Sequence, residues 1–195
     1  LYWPNLVDYA RLVLWIIFLW VAFYHPITAL VLYIILDNLD AVDGVLARKL
    51  NQVSKLGTAL DFAIDRITIA SLLLILAKLY PSLWLLFCLL MALDLGSHFI
   101  HLYSTSLSGA ASHKKLEDHN SRLLERYYNH RVTLFSICFF YDAFLLAAFM
   151  FYFYPNNAFT WIMVACFPGF FVKLVVHILQ INAACRRLVN STERG

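Results

Sequence analysis

Four aspartates are the residues best placed to do chemistry. Asp40 and Asp43 stand three positions apart, and Asp61 and Asp65 stand four apart. On helices, each pair shares one face. All four lie in or beside apolar segments, where an ionised side chain at the membrane centre costs roughly 2.5–3.5 kcal/mol on insertion scales. Like charges so close together also repel. Divalent cations offset both effects, and hard carboxylate oxygens suit Mg²⁺ or Mn²⁺ rather than zinc. Two such ions balance four carboxylates. A paired-metal site of this kind can clamp a diphosphate and stabilise both the attacking and the leaving oxygen.

The neighbouring residues fit such a site. Gly44 and Ala47 follow Asp40 on its own face, and Gly57 precedes Asp61 on its face. A glycine inside a helix costs about 1 kcal/mol relative to alanine, so two beside the acids imply that something bulky approaches the backbone. Arg48 lies on the Asp40 face, placed to hold a phosphate. Spacing alone leaves catalysis, an ion or proton pathway, and a structural polar cluster all open.

These residues must be positioned by membrane helices. The chain has 195 residues, 62% hydrophobic and 14% charged, with a mean hydropathy of +0.71. Soluble domains sit near ~45–50% apolar and ~25% charged. At about 20 residues per span there is room for about six helices and no sizeable water-soluble domain. The expected fold is therefore an all-α integral membrane protein, one domain over 1–195. Its six spans lie near 6–24, 27–48, 58–79, 82–104, 132–154 and 158–185, with turn signals at His25-Pro26, 52–57, Tyr80-Pro81 and Pro155-Asn156-Asn157. The short connection between the second and third spans makes them antiparallel neighbours, which brings the four acids to one depth.

Basic residues set the orientation. Arg48, Lys49 and Lys55 follow the second span; Lys114, Lys115, Arg122, Arg126 and Arg131 follow the fourth; Arg186, Arg187 and Arg194 follow the sixth. The opposite side holds only Lys78. The positive-inside rule places both termini and the carboxylates at the cytosolic side. A net charge of +3 without a basic run gives no reason to expect nucleic acid. The four cysteines form no CxxC pair and read as small buried hydrophobes.

The run Asp40-x2-Asp43-Gly44-x2-Ala47-Arg48-x8-Gly57-x3-Asp61-x3-Asp65 resembles the signature of the CDP-alcohol phosphotransferases. Within that family the chain is most similar to the eukaryotic phosphatidylinositol synthases. That similarity runs through Pro4-Asn5-Leu6, Tyr9-Ala10-Arg11, Leu50-Asn51-Gln52, Leu93-Asp94, Ser97-His98, Ser112-His113-Lys114 and Tyr127-Tyr128. The resemblance implies transfer of the phosphatidyl group of CDP-diacylglycerol to myo-inositol, by direct attack, with CMP as leaving group. It implies Asp40, Asp43, Asp61 and Asp65 as ligands of two Mg²⁺ or Mn²⁺ ions, with Asp65 also the general base. Asn5, Gly44, Ala47, Arg48 and Ser54 would contact CDP-diacylglycerol. A homodimer in the endoplasmic reticulum membrane is implied as well. The rival readings are a family member using inositol phosphate, glycerol phosphate or serine, and a cation transporter.

The alcohol side is read from the remaining polar residues. Asp94, Ser97, His98 and His101 share one stripe of the fourth helix and can hydrogen-bond a polyol, with helix packing as the competing reading. Lys114 and Arg131 can rim the site, or simply reflect topology. Lys173, His177 and Asp142 read first as contacts between helices. Asp37, one turn before Asp40, either faces the same site or packs between helices. The mixed apolar and charged segment 116–126 reads as a short interfacial helix.

Overall fold

The computed structural model describes residues 2–107 and 130–192, apart from the side chains of Ala41, Asp43, Arg131, Ser191 and Thr192. Six long helices run through them: α1 Trp3–Val21, α2 Pro26–Lys49, α3 Lys55–Leu79, α4 Trp84–Leu107, α5 Arg131–Phe153 and α6 Asn157–Thr192. A 3₁₀ turn, Pro81–Leu83, leads into α4.

Local chemistry sets the helix ends. Pro26 and Pro81 occupy first-turn positions, where a missing N–H leaves no bond unmade. At the end of α2 the Gln52 N–H donates to the Ala47 carbonyl at 2.9 Å and the Asn51 N–H to Arg48 at 3.4 Å. Asn51 is left-handed, with φ 57°, which asparagine tolerates better than most residues. This is a Schellman-type stop. Ser54 then caps α3, its hydroxyl accepting from the Gly57 N–H at 2.9 Å. The Asn156 side chain caps α6 in the same way, accepting from Ala158 and Phe159.

Helix α3 is central: it packs against α1, α2, α4 and α5, while α6 packs on α4 and α5. The expected close pairing of α2 with α3 is replaced by a different arrangement. The two touch only slightly, and α1 packs along both. The α2–α3 connection is short, but α1 occupies the groove it leaves. One half of the bundle is apolar, with Phe18, Ala22, Ala29, Leu72, Leu76, Leu145 and Phe149 in its core. The acidic ends of α2 and α3 lie at the other half.

Pro168 and Gly169 sit inside α6. A Cβ on Gly169 would lie 2.4 Å from the Cβ of Phe140, so glycine is what lets α5 and α6 close together there. No disulfide joins the cysteines; Cys166 is buried, Cys88 and Cys138 are half-buried, and Cys185 is exposed rather than buried.

Among the described residues, four stretches are long and apolar enough to cross a membrane: Trp3–Val21, Pro81–Leu107, Val132–Phe153 and Asn157–Asn190. The chain is a membrane-embedded protein. Helices α2 and α3 match them in length, with 24 and 25 residues, but are less apolar. The difference is the site itself: Asp37, Asp40, Asp43, Arg48 and Lys49 on α2, and Lys55, Asp61, Asp65, Arg66 and Lys78 on α3.

Candidate active site

Three of the four signature acids converge. Asp40 from α2 and Asp61 and Asp65 from α3 each present an oxygen within 4.8 Å of the others. Asp43 is one turn further along α2, with its side chain outside those described. The three carboxylates are 31–41% exposed, so each keeps an accessible face.

A cation from the chain itself stands among them. Arg11 of α1, 2% exposed, donates from Nη1 to Asp61 Oδ1 at 2.9 Å and from Nη2 to Asp65 Oδ1 at 2.7 Å. Its Nη2 also lies 3.0 Å from Asp40 Oδ1. Asp8, one turn back on α1, is 3.7 Å from Nη1. From α1, which packs along both α2 and α3, Arg11 supplies positive charge to the acids at close range. Local spacing gives Arg11 no role, although a lone arginine in an apolar helix is itself a functional signal.

The donor set fits a hard divalent ion. It offers carboxylate oxygens from two helices, with no sulfur or imidazole, and Asp40 Oδ1 is buried with Arg11 Nη2 at 3.0 Å and no hydrogen bond among the described residues.

The glycines work differently from one another. At Gly57 the close neighbour belongs to the protein: an added Cβ would meet Asn5 Oδ1 at 2.8 Å and Ser54 Oγ at 3.1 Å. Asn5, Ser54 and Gly57 thus form a knot that ties α1 to the start of α3, and Ser54 Oγ donates to Asn5 Oδ1 at 3.4 Å. Gln52 adds to it by accepting from the Trp3 N–H at 3.0 Å. Gly44 is open except for the Arg48 guanidinium, which curls back to 3.5 Å from where a Cβ would be. Arg48 is exposed, and Ala47 beside it is half-buried.

A second polar group lies next to the first. Arg66, adjacent to Asp65, donates from Nη1 to both oxygens of Asp94 at 2.8 and 3.0 Å. Ser97 donates to the Asp94 carbonyl at 2.9 Å, so its oxygen receives the Nδ1–H of His177, 2.8 Å away. His98 Nδ1 lies 2.8 Å from the same Asp94 carbonyl. Asp94, His98 and His177 also approach within 4.8 Å of one another, but Arg66 already supplies the charge there. Lys173 reaches across to Cys138 at 3.4 Å, and Asp142 accepts from Tyr33 at 3.5 Å. Lys173 and His177 therefore do link helices. His101 is buried on α4, where its carbonyl accepts from Ser104 and Thr105.

A cavity of about 300 Å³ joins the two groups; its walls include Arg11, Asp37, Asp40, Asp65, Arg66, Asp94, His98, Asp142 and Lys173. That is the size of a small-molecule site. Lys114 and the segment 116–126 fall outside the described residues; Arg131 opens α5, its side chain likewise outside.

The family model for CDP-alcohol phosphatidyltransferase matches residues 1–171. The chain belongs to the CDP-alcohol phosphatidyltransferase family. The match takes in the whole run from Asp40 to Asp65 and the Arg11 that pairs with it. Among curated members, the chain is 37% identical to the CDP-diacylglycerol–inositol 3-phosphatidyltransferase of Candida albicans, over 94% of this chain and 80% of that one. It is 36% identical to the enzyme of the same name from Saccharomyces cerevisiae, over 100% of this chain and 89% of that one. For the Homo sapiens enzyme of that name the values are 39%, 78% and 72%. No solved structure gives a significant match to the chain.

Proposed function

We propose that this membrane protein transfers the phosphatidyl group of CDP-diacylglycerol to myo-inositol, giving phosphatidylinositol and CMP. The observation that carries this reading is the convergence of Asp40, Asp61 and Asp65 within 4.8 Å of one another, with Asp40 and Asp65 in the wall of a cavity of about 300 Å³. The named activity of the curated relatives supports the choice of substrates.

Asp40, Asp43, Asp61 and Asp65 are the residues that would hold two Mg²⁺ or Mn²⁺ ions. When bound, such ions supply positive charge to the diphosphate and to departing CMP. The chain's own residues do the rest. Asp65 accepts the proton of the inositol hydroxyl as its oxygen bonds to the phosphatidyl phosphorus and the bond to the bridging oxygen of CMP breaks. A positioned base of this kind is worth roughly 10²–10⁴-fold. Gly44, Ala47, Arg48, Ser54 and Asn5 form the nucleotide side, supported by the room over Gly44 and the exposed Arg48 guanidinium. Asp94 and His98 border the alcohol side with Arg66, and Lys114 and Arg131 complete its rim.

In this reading α2 and α3 also cross the membrane. The chain then has six spans in a single domain over 1–195, with both termini and the active site in the cytosol. The distribution of Lys and Arg supports that orientation. The endoplasmic reticulum and a homodimer rest on the family resemblance.

The test is an alcohol panel on the purified full chain in CDP-diacylglycerol liposomes with Mg²⁺ or Mn²⁺. CMP release and the lipid product are read together. Inositol-dependent CMP release with phosphatidylinositol as product is expected. Use of inositol phosphate, glycerol phosphate or serine in place of inositol overturns the substrate, and metal-ion flux without CMP release overturns the reaction.

A further inference from the structure

Between α2, α3 and α5 the cavity forms a recess whose polar groups phosphatidyl transfer does not itself require. Asp37 of α2 and Asp142 of α5 line it, and so do Thr68 of α3 and Tyr141 of α5. The last two are 8% and 2% exposed, and neither hydroxyl has a hydrogen-bond partner among the described residues. A buried hydroxyl left unpaired is unfavourable, and two on one cavity wall mark a place where a hydrogen-bonding guest belongs. Leu36, Ile69 and Phe139 supply apolar wall between them.

We propose that this recess is the seat of the acceptor alcohol, built for an uncharged polyol, and that Asp142 determines the specificity. The proposal rests on the phosphatidyl-transfer reading. A polyol hydroxyl both donates and accepts, so it can donate to a carboxylate while accepting from Thr68 or Tyr141. Among the described residues Asp142 receives one long hydrogen bond, from Tyr33 at 3.5 Å, and keeps accepting capacity for a hydroxyl. The ring carbons of a cyclic polyol would face Leu36, Ile69 and Phe139.

The charges argue against a phosphorylated alcohol. Among the described residues the cavity is lined by five aspartates and three cations, Arg11, Arg66 and Lys173. Arg66 is held by both oxygens of Asp94, and Lys173 lies 3.4 Å from Cys138 Sγ. A phosphate dianion would enter a wall that already carries more acid than base, whereas an uncharged polyol meets no such penalty. Asp94 and His98 act here as positioning residues: they fix Arg66 at the boundary between the reacting acids and the recess.

The experiment compares wild type, Asp142→Asn and Thr68→Val, each as purified full chain. Three quantities are read: KM and kcat for inositol, the inositol-to-inositol-phosphate preference, and stabilisation against heat by CDP-diacylglycerol. Asp142→Asn should raise the inositol KM about tenfold or more, the loss expected when one buried hydrogen bond is broken. It should lower kcat far less and shift preference toward the phosphorylated alcohol. Thr68→Val, nearly isosteric, should raise KM about threefold to tenfold. CDP-diacylglycerol should stabilise all three equally, which shows that the variants are folded. Wild-type KM and wild-type preference in both variants overturn the seat. If wild type uses a phosphorylated alcohol best, the seat falls together with the inositol reading. If it uses another uncharged alcohol and Asp142→Asn raises the KM for that one, the seat stands and only inositol falls.

Discussion

Replacing Arg11 with methionine removes one charge from the middle of three carboxylates while keeping an unbranched side chain. Arg11 makes two charge-assisted hydrogen bonds, at 2.9 and 2.7 Å, and an ion pair at 3.0 Å. A hydrogen bond to a charged group contributes about 1.5–3 kcal/mol, and breaking a fully buried pair costs about 3–5 kcal/mol. Here only Arg11 is buried; the acids are 31–41% exposed, and solvent screens their repulsion. The expected loss without divalent ion is therefore about 2–3 kcal/mol. At ~2–4 °C per kcal/mol for a chain of this size, that is a drop of about 4–12 °C in unfolding temperature. The assay is thermal unfolding in detergent, first in EDTA and then across a Mg²⁺ titration. Acids deprived of Arg11 repel one another more and gain more from a divalent ion, so the gap should close as Mg²⁺ rises. An ion at about 100 times its Kd adds about 2.7 kcal/mol, and the gap closes by the difference between the two gains, about 1.4 kcal/mol for each tenfold by which the variant binds the ion more tightly. Arg11→Lys should fall between the two, since one ammonium cannot fork to two carboxylates. An unchanged unfolding temperature in EDTA, or a gap that Mg²⁺ leaves untouched, would refute the reasoning.

Asp65→Asn should reduce turnover by at least about 10²-fold while leaving the protein folded; wild-type turnover by this variant would remove Asp65 as the base. Gly169→Ala forces a Cβ to within 2.4 Å of Phe140 and should cost about 1–3 kcal/mol of stability, read as a lower unfolding temperature. An unshifted temperature would mean that α5 and α6 separate freely there. Ser54→Ala removes the cap on Gly57 and should cost about 0.5–2 kcal/mol, seen as faster amide exchange in the first turn of α3. Exchange as slow as in wild type would show that the cap contributes nothing.

The readable part of this protein was whatever depends on spacing along one helix. Helix positions followed from apolar length and from Pro, Asn and Ser at the ends, and the acids of α2 and α3 could be paired from their three- and four-residue spacings. What spacing could not supply was the partner across helices. Arg11 lies fifty positions from Asp61, and nothing in the local pattern says that α1, rather than direct α2–α3 contact, fills the groove between them. Arg66 was hidden for a related reason: beside Asp65 it reads as a neighbouring charge until Asp94, 28 positions on, is seen to hold it. Thr68 and Tyr141 were illegible in principle, because a hydroxyl in an apolar helix signifies something only once its missing partner is known.

The arrangement also accounts for how so acidic a group can exist in the membrane before any ion arrives. Helices α2 and α3 carry charges that keep them from reading as simple apolar spans, yet much of that charge is matched within the bundle. Arg11 faces Asp40, Asp61 and Asp65, and Arg66 faces Asp94. Arg11 is anchored on the buried side, and the acids keep their open faces toward the cavity and solvent. A divalent ion arriving on that open side thus adds to Arg11 instead of having to displace it. Such a site folds with one permanent cation and works with further ones, so loss of metal should stop turnover well before it unfolds the chain.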